Sequence, residues 1–236
     1  MATPYALVTG SSDRVGKAIS LKLAQMGYNL VLHYNSSQEK AEKLKKEIRG
    51  LGVGAQVLKI DFSKENNFEA IFEELSNRLN IAVLVNCASD FYKSSFNDPG
   101  VEHLHHMLRV NFESAYLLTK AFVSCCKKGV IINIIDTKAA KNQTVHLDYL
   151  LSKKLLKEFT LVSAFTLGPN FRVNGIAPGL ILPPKGKDES YLEELAKNIP
   201  LKTVGNLAQI QQAVEFIVTN DFLTGQIIYI DGGEHL

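Results

Sequence analysis

The chain has 236 residues, 46% hydrophobic and 21% charged, and its 26 basic and 24 acidic side chains leave a formal net charge of +2. That balance excludes disordered, collagen-like and small disulfide-stapled chains, and without a basic tail or acidic block it offers nothing to a nucleic acid. Cys87 stands alone and Cys125 adjoins Cys126, with no CxxC spacing, so neither a disulfide framework nor a zinc site is expected and a reducing, cytoplasmic setting is. Residues 1–9 lack a signal-peptide pattern, and no apolar run approaches the roughly 18 residues of a membrane span.

Two hydrophobic periods alternate along the chain. Strands are expected at 5–8, 29–33, 55–60, 81–85, 130–135, 171–176 and 226–230. Between them, helical spacing falls at 18–24, 38–49, 68–79, 110–126, 147–165 and 207–219, with a small helix at 191–197 hanging from a loop at 181–190. The run Val130-Ile-Ile-Asn-Ile-Ile135 is continuously apolar, which points to a parallel sheet covered on both faces. The expected fold is α/β: a three-layer, doubly wound Rossmann fold with a seven-stranded parallel sheet, forming one domain over residues 1–236.

The first strand runs into Thr9-Gly-Ser-Ser-Asp-Arg-Val-Gly16 and then a helix. Gly10 allows a tight turn and Gly16 a close helix–sheet approach, so backbone N–H groups from Gly10 and Ser12 through Val15 can face a pyrophosphate. Dinucleotide sites that hold NAD place a carboxylate on the ribose about 20 residues further on. Here the second strand ends His33-Tyr34-Asn35-Ser36-Ser37 with no acid before Glu39, and Arg14 adds charge nearby. A 2′-phosphate then meets neutral donors and a potentially positive His33, which favours NADPH; the plain alternative makes His33 a strand-end surface residue. Asp61, followed by Phe62, is placed either to accept from an adenine amine or to cap the segment beginning near Ser63. Asn86, Ala88 and Ser89 follow the fourth strand, where small side chains admit a flat cofactor.

Tyr149 and Lys153 are four apart on one helix face. A tyrosine titrates near about 10, and a neighbouring ammonium favours its phenolate, so the pair can shuttle a proton. Asp136, at the end of the Ile-rich strand, adds a third polar group at the same crevice or else caps the turn beyond it. His103, His105 and His106 lie on a helix with Leu104, Met107 and Leu108; no first shell completes them, and no metal is expected.

Together these motifs resemble the short-chain dehydrogenase/reductase family along essentially the whole chain. The glycine turn resembles its TGxxxGxG motif, Asn86-Cys-Ala its NAG motif and Tyr149-Leu-Leu-Ser-Lys153 its YxxxK motif. The resemblance implies that Asn111 holds a water in the proton relay, and that Asn174-Gly-Ile-Ala-Pro-Gly179 with Leu180 closes over a nicotinamide, Pro178 included. Asp231-Gly-Gly233 looks like the family's C-terminal ending.

Three departures sharpen the resemblance. Arg14 replaces the middle glycine, Asp136 replaces the serine thirteen residues before the tyrosine, and Ser89-Asp90-Phe91 puts an aromatic by the nicotinamide pocket. All three resemble pteridine reductases and the related dihydromonapterin (dihydrofolate) reductases, in which the arginine sits by cofactor phosphate and substrate and the aromatic stacks on a pterin. The arginine that often follows the histidine in that subgroup is missing here. The implied reaction is NADPH-dependent reduction of a dihydropterin, with Arg14, Phe91, Asp136, Tyr149, Leu180, Leu182 and Tyr191 around the substrate. The rivals are a 3-oxoacyl-(acyl carrier protein) reductase or other carbonyl reductase, and a non-catalytic nucleotide-binding protein on the same fold. Helices 110–126 and 147–165 are apolar over more than one face, so a homotetramer, or a dimer, is expected.

Overall fold

The computed structural model describes residues 3–98, 100–142, 145–184 and 186–236, so Met1 and Ala2 of the N-terminal reading and Lys185 of the 181–190 loop lie outside the described residues. Seven parallel strands, β1 (Tyr5–Val8), β2 (Asn29–Tyr34), β3 (Ala55–Lys59), β4 (Ile81–Asn86), β5 (Gly129–Ile134), β6 (Phe171–Pro178) and β7 (Ile227–Ile230), form one sheet in the order β3-β2-β1-β4-β5-β6-β7. The doubly wound fold expected from the alternating periods is therefore present. Strand order reverses between β1 and β4, and the C-terminal ends of those strands open the crevice where such sheets bind ligands.

Helices α1 (Arg14–Gln25) and α2 (Gln38–Gly50) cover one face of the sheet together with α8 (Leu207–Thr219). There Ile19, Leu23, Leu44, Ile48, Val214 and Ile217 are fully buried or nearly so. The other face carries α3 (Phe68–Ser76), α5 (Ser114–Cys125) and α6 (Leu147–Leu167), through Phe68, Phe72, Leu118, Phe122 and Ala164. With apolar cover on both sides, the central strands have no solvent face, which is why their sequence does not alternate.

The helix expected at 110–126 differs from expectation. It is preceded by α4 (Glu102–Leu108), and between α4 and α5 the backbone makes one π-turn, Arg109–Glu113, closed by the Ser114 N–H donating to Arg109 O. An extra residue turns the following side chains by about 100°, but the 110–126 segment is apolar on more than one face, so its pattern shows no break. A small helix, α7 (Glu189–Ala196), stands where the 191–197 segment was expected. Among the described residues no helix is long and apolar enough to cross a membrane.

Candidate active site

The crevice is fastened first by Thr9. Its Oγ1 accepts the N–H groups of Cys87 (2.8 Å) and Ala88 (2.9 Å), tying the end of β1 to the residues after β4. Gly10 has φ +62°, and a β-carbon there would lie 2.8 Å from Ala88 Cα; one on Gly16 would lie 2.2 Å from Gly10 O. Both glycines are thus required by close backbone approach, as the motif implies. Arg14 occupies the left-handed region at φ +51°, the conformation a glycine adopts at no cost. Its guanidinium donates to Pro183 O (2.9 Å) and Leu182 O (3.4 Å), so it clasps the loop after β6 to the glycine turn.

His33 is not the phosphate-facing cation expected from its place at a strand end. It is 3% exposed; its Nδ1 accepts the Gly10 N–H at 3.0 Å and its Nε2 donates to Ile60 O at 3.0 Å. A nitrogen that accepts is unprotonated, so the ring is neutral, and burial pulls its pKa down to about 4. Its face stacks on Phe62 at 4.2 Å, and Phe62 is itself buried, so that ring is a core side chain rather than a cofactor wall. Tyr34 is buried too, whereas Asn35 and Ser36 are exposed at the rim. There Lys40, in the first turn of α2, forms an ion pair with Asp13 of the glycine turn. Gly10 and Ser11 spend their N–H groups on His33 and Arg14 spends its own on the Asp13 carboxylate, so the donors left for an anion are those of Ser12, Asp13, Val15 and Gly16 at the start of α1. Asp61 makes the capping contact: one of its carboxylate oxygens accepts the Ser63 N–H and hydroxyl, which hold it below the usual carboxylate range.

Asn86 also turns inward. It donates to Asn133 Oδ1 at 2.8 Å, and Asn133 donates to Thr160 at 2.8 Å, a buried chain that joins β4 and β5 to α6. The helix that carries Tyr149 and Lys153 is thereby locked to the sheet, while Ala88 and Ser89 remain at the crevice.

Tyr149, Lys153, Asp136 and Phe91 come together. Tyr149 donates its hydroxyl hydrogen to Asp136 Oδ2 at 2.7 Å, and the other Asp136 oxygen accepts the Lys138 N–H at 2.8 Å. Asp136 therefore caps the turn and also holds the phenol, so both of its readings hold. Lys153 is 2% exposed and donates to Ile134 O at 2.9 Å; burial lowers its pKa to about 8. The expected bias toward phenolate is reversed: burial, then the Asp136 charge, hold Tyr149 well above its ordinary range. A phenol that keeps its proton is a donor, which suits reduction.

Asn111 lies on the π-turn, a feature frequent at functional sites. It is 1% exposed, accepts the Asp90 N–H at 2.8 Å, and donates to Asp90 O (3.0 Å) and Ser152 (3.1 Å). Its side chain thus fastens the loop after β4 onto α6. Phe91, in that loop, sets its ring edge-to-face with Tyr149 at 4.7 Å. Pro178 ends β6 and Gly179 and Leu180 follow it, with the Gly179 N–H donating to Ile230 O, and Leu182 packs partly buried on the core. Tyr191 is half-exposed on α7 beneath Lys187, apart from the aromatic partners of Phe91 and Tyr149. His106 bonds Asp90 at 2.8 Å; among the described residues no metal-holding group occurs.

Sequence reading missed His146, which precedes α6 at φ +62°, stacks on Phe91 at 4.2 Å and donates to Tyr92 O. No residue pattern marks such a contact.

A family model described as enoyl-(acyl carrier protein) reductase matches residues 10–235. The chain belongs to the short-chain dehydrogenase/reductase family. Within it, this reductase is similar to an alternative dihydrofolate reductase 1, FolM, of Brucella canis, solved in complex with NADP: TM-score 0.93 and 30% identity, covering 99% of this chain and 94% of that one. It is 25% identical over 236 residues to a dihydromonapterin reductase of Klebsiella pneumoniae, covering 98% of this chain and 96% of the relative. It is also 27% identical over 243 residues to the 3-oxoacyl-[acyl-carrier-protein] reductase FabG of Staphylococcus aureus, covering 99% of each. The FolM and dihydromonapterin reductase likenesses support the pteridine reductase subgroup that the three sequence departures resemble.

Proposed function

We propose that this reductase uses NADPH to convert a dihydropterin, such as dihydromonapterin, dihydrobiopterin or dihydrofolate, to its tetrahydro form. The observation that carries the reading is the Tyr149–Asp136 hydrogen bond at 2.7 Å beneath the edge-on ring of Phe91. The glycine cradle fits a dinucleotide, because Gly10 and Gly16 have no room for a β-carbon and the first turn of α1 offers N–H donors to a pyrophosphate. Residues 12–16 would hold the pyrophosphate, Asn35 and Ser36 with Lys40 the ribose phosphate, Asp61 the adenine, Ala88 and Ser89 the ribose face, and residues 178–180 the nicotinamide.

Bound NADPH supplies a hydride to a ring carbon. The chain's own part is the proton. Tyr149, held as the neutral phenol, donates its proton to the ring nitrogen of the C=N bond; the Asp136 carboxylate orients the hydroxyl, and a proton taken up from solvent returns to the phenolate by way of Asp136. Lys153 binds the nicotinamide ribose and stands 5.8 Å from the Tyr149 ring centroid. Phe91 supplies an aromatic surface to the flat substrate, with Leu182 on the opposite loop and Arg14 reaching that loop from the glycine turn.

A second reading, a 3-oxoacyl-(acyl carrier protein) reductase, is favoured by the full-length likeness to the Staphylococcus aureus enzyme. The carboxylate of Asp136 weighs against it, since it would oppose charge developing on a carbonyl oxygen. The two separate when NADPH oxidation is followed at 340 nm with dihydropterins and an acetoacetyl thioester in parallel. Turnover of a pterin supports the first; turnover of the thioester alone replaces it with the second.

The same reading makes the protein a one-domain cytoplasmic homotetramer or dimer. Tyr116 of α5 and Leu151, Leu155, Val162 and Phe165 of α6 are exposed, Phe165 by 94%, and suit subunit packing.

A further inference from the structure

We propose that His146 is a substrate-positioning residue: its imidazole backs one face of Phe91, so that the opposite face is presented to a flat heterocyclic substrate. The inference rests on the dihydropterin reading and extends it to a residue outside every motif above.

The two rings stack with centroids 4.2 Å apart and planes 25° apart, while the Phe91 edge meets Tyr149 at 87°. Phe91 is nonetheless 41% exposed, so the stack does not enclose it. The loop is fastened on both sides of Phe91. Asn111 holds the backbone N–H and C=O of Asp90, and His146 Nδ1 donates to Tyr92 O at 2.9 Å. Two residues on, the start of α6 binds the same loop again, with Leu147 N–H donating to Ser94 O and Asp148 N–H to Ser94 Oγ.

His146 adopts φ +62°, a left-handed conformation uncommon for a side-chain-bearing residue and concentrated at functional sites. It stands three residues before Tyr149, one turn away, so the ring that backs Phe91 and the phenol that gives the proton share a rigid helix start. The geometry couples where the substrate ring lies to where the proton is delivered. Lys138 Nζ lies over the Phe91 ring, 5.0 Å from its centroid; with the imidazole against one face, this flexible ammonium covers the other, and a flat substrate takes its place there.

The test uses the full chain and the variants His146→Asn, Phe91→Leu and the double variant. Asparagine tolerates the left-handed conformation and can still donate to Tyr92 O, but it removes the stacked face. Dihydrobiopterin binding is measured by calorimetry on the NADP⁺-loaded protein, beside KM by NADPH oxidation and NADPH affinity as a folding control. His146→Asn is expected to weaken dihydrobiopterin binding and raise KM about fivefold with NADPH affinity intact. In the Phe91→Leu background the same change is expected to have no further effect, because His146 acts through that ring. Unchanged dihydrobiopterin affinity in His146→Asn, or effects that simply add in the double variant, would overturn the proposal. If His146→Asn loses NADPH binding as well, the residue serves the fold rather than the substrate. Wild-type protein that binds NADPH but no dihydropterin overturns the underlying reading instead.

Discussion

The N–H of Gly10 donates to His33 Nδ1 across the β1–β2 crevice, so a buried imidazole, and not a phosphate, holds the entry to the glycine turn. That bond requires the neutral ring, and burial has brought its pKa from 6.5 to about 4. The unfolded chain binds the proton near 6.5 and the folded one near 4. Stability from this group is therefore complete above pH 6.5 and is lost as pH falls through 4, a span worth about 3 kcal/mol. Urea midpoints taken from pH 7.5 down to 4.5 are expected to fall more steeply in wild type than in His33→Gln. Equal slopes would remove His33 from the account.

Asp136 is expected to matter to turnover and not to the fold. In Asp136→Ser the hydroxyl can still cap the turn at Lys138, but the carboxylate beneath Tyr149 is gone. Turnover of a dihydropterin should drop about 100-fold, the scale of a lost acid–base partner, with NADPH affinity unchanged. Steady-state rates beside a cofactor titration decide it; full activity in the serine variant would make Asp136 a turn cap alone.

With His33 neutral and Arg14 engaged at Pro183, a cation near the exposed Asn35 and Ser36 in sequence is Lys40, in the first turn of α2 and paired with Asp13. A charge-assisted bond to a 2′-phosphate predicts that Lys40→Gln weakens NADPH about tenfold and leaves NADH as it was. Fluorescence titration of both cofactors measures this, and an equal loss for the two would assign Lys40 to the fold.

Gly16→Ala forces a β-carbon to 2.2 Å from the Gly10 carbonyl oxygen, a backbone atom that no side-chain rotation can move. Overpacking of this kind costs about 2 kcal/mol, which lowers the thermal midpoint by roughly 6 °C in a chain of this size. NADPH affinity should fall with it, since the turn must open. A melt that matches wild type would show that the turn yields more freely than its contacts indicate.

Much of the architecture was legible in the residues. The helix at 207–219 and the strand at 5–8 coincide with α8 and β1, because a helix or strand buried along its length writes its period into neighbouring positions. Tyr149 and Lys153 were legible for the same reason, four apart on one helix. Asp136 was legible only as a departure from a family pattern; that it both caps and holds Tyr149 needed coordinates.

What the sequence determined by itself was the alternation of elements, the glycine turn and the place of Tyr149 and Lys153 on one helix, all of which depend on residues close in the chain or on a motif carried whole. Tertiary structure alone decided that His33 is a neutral brace, that Asn86 faces the core, and that His146 backs Phe91. Each of these is set by a partner remote in sequence: 23 residues for Gly10 and His33, 47 for Asn86 and Asn133, 54 for His146 and Tyr92. A side chain's charge and orientation follow from the dielectric and the partners that folding brings around it, and no local pattern encodes those.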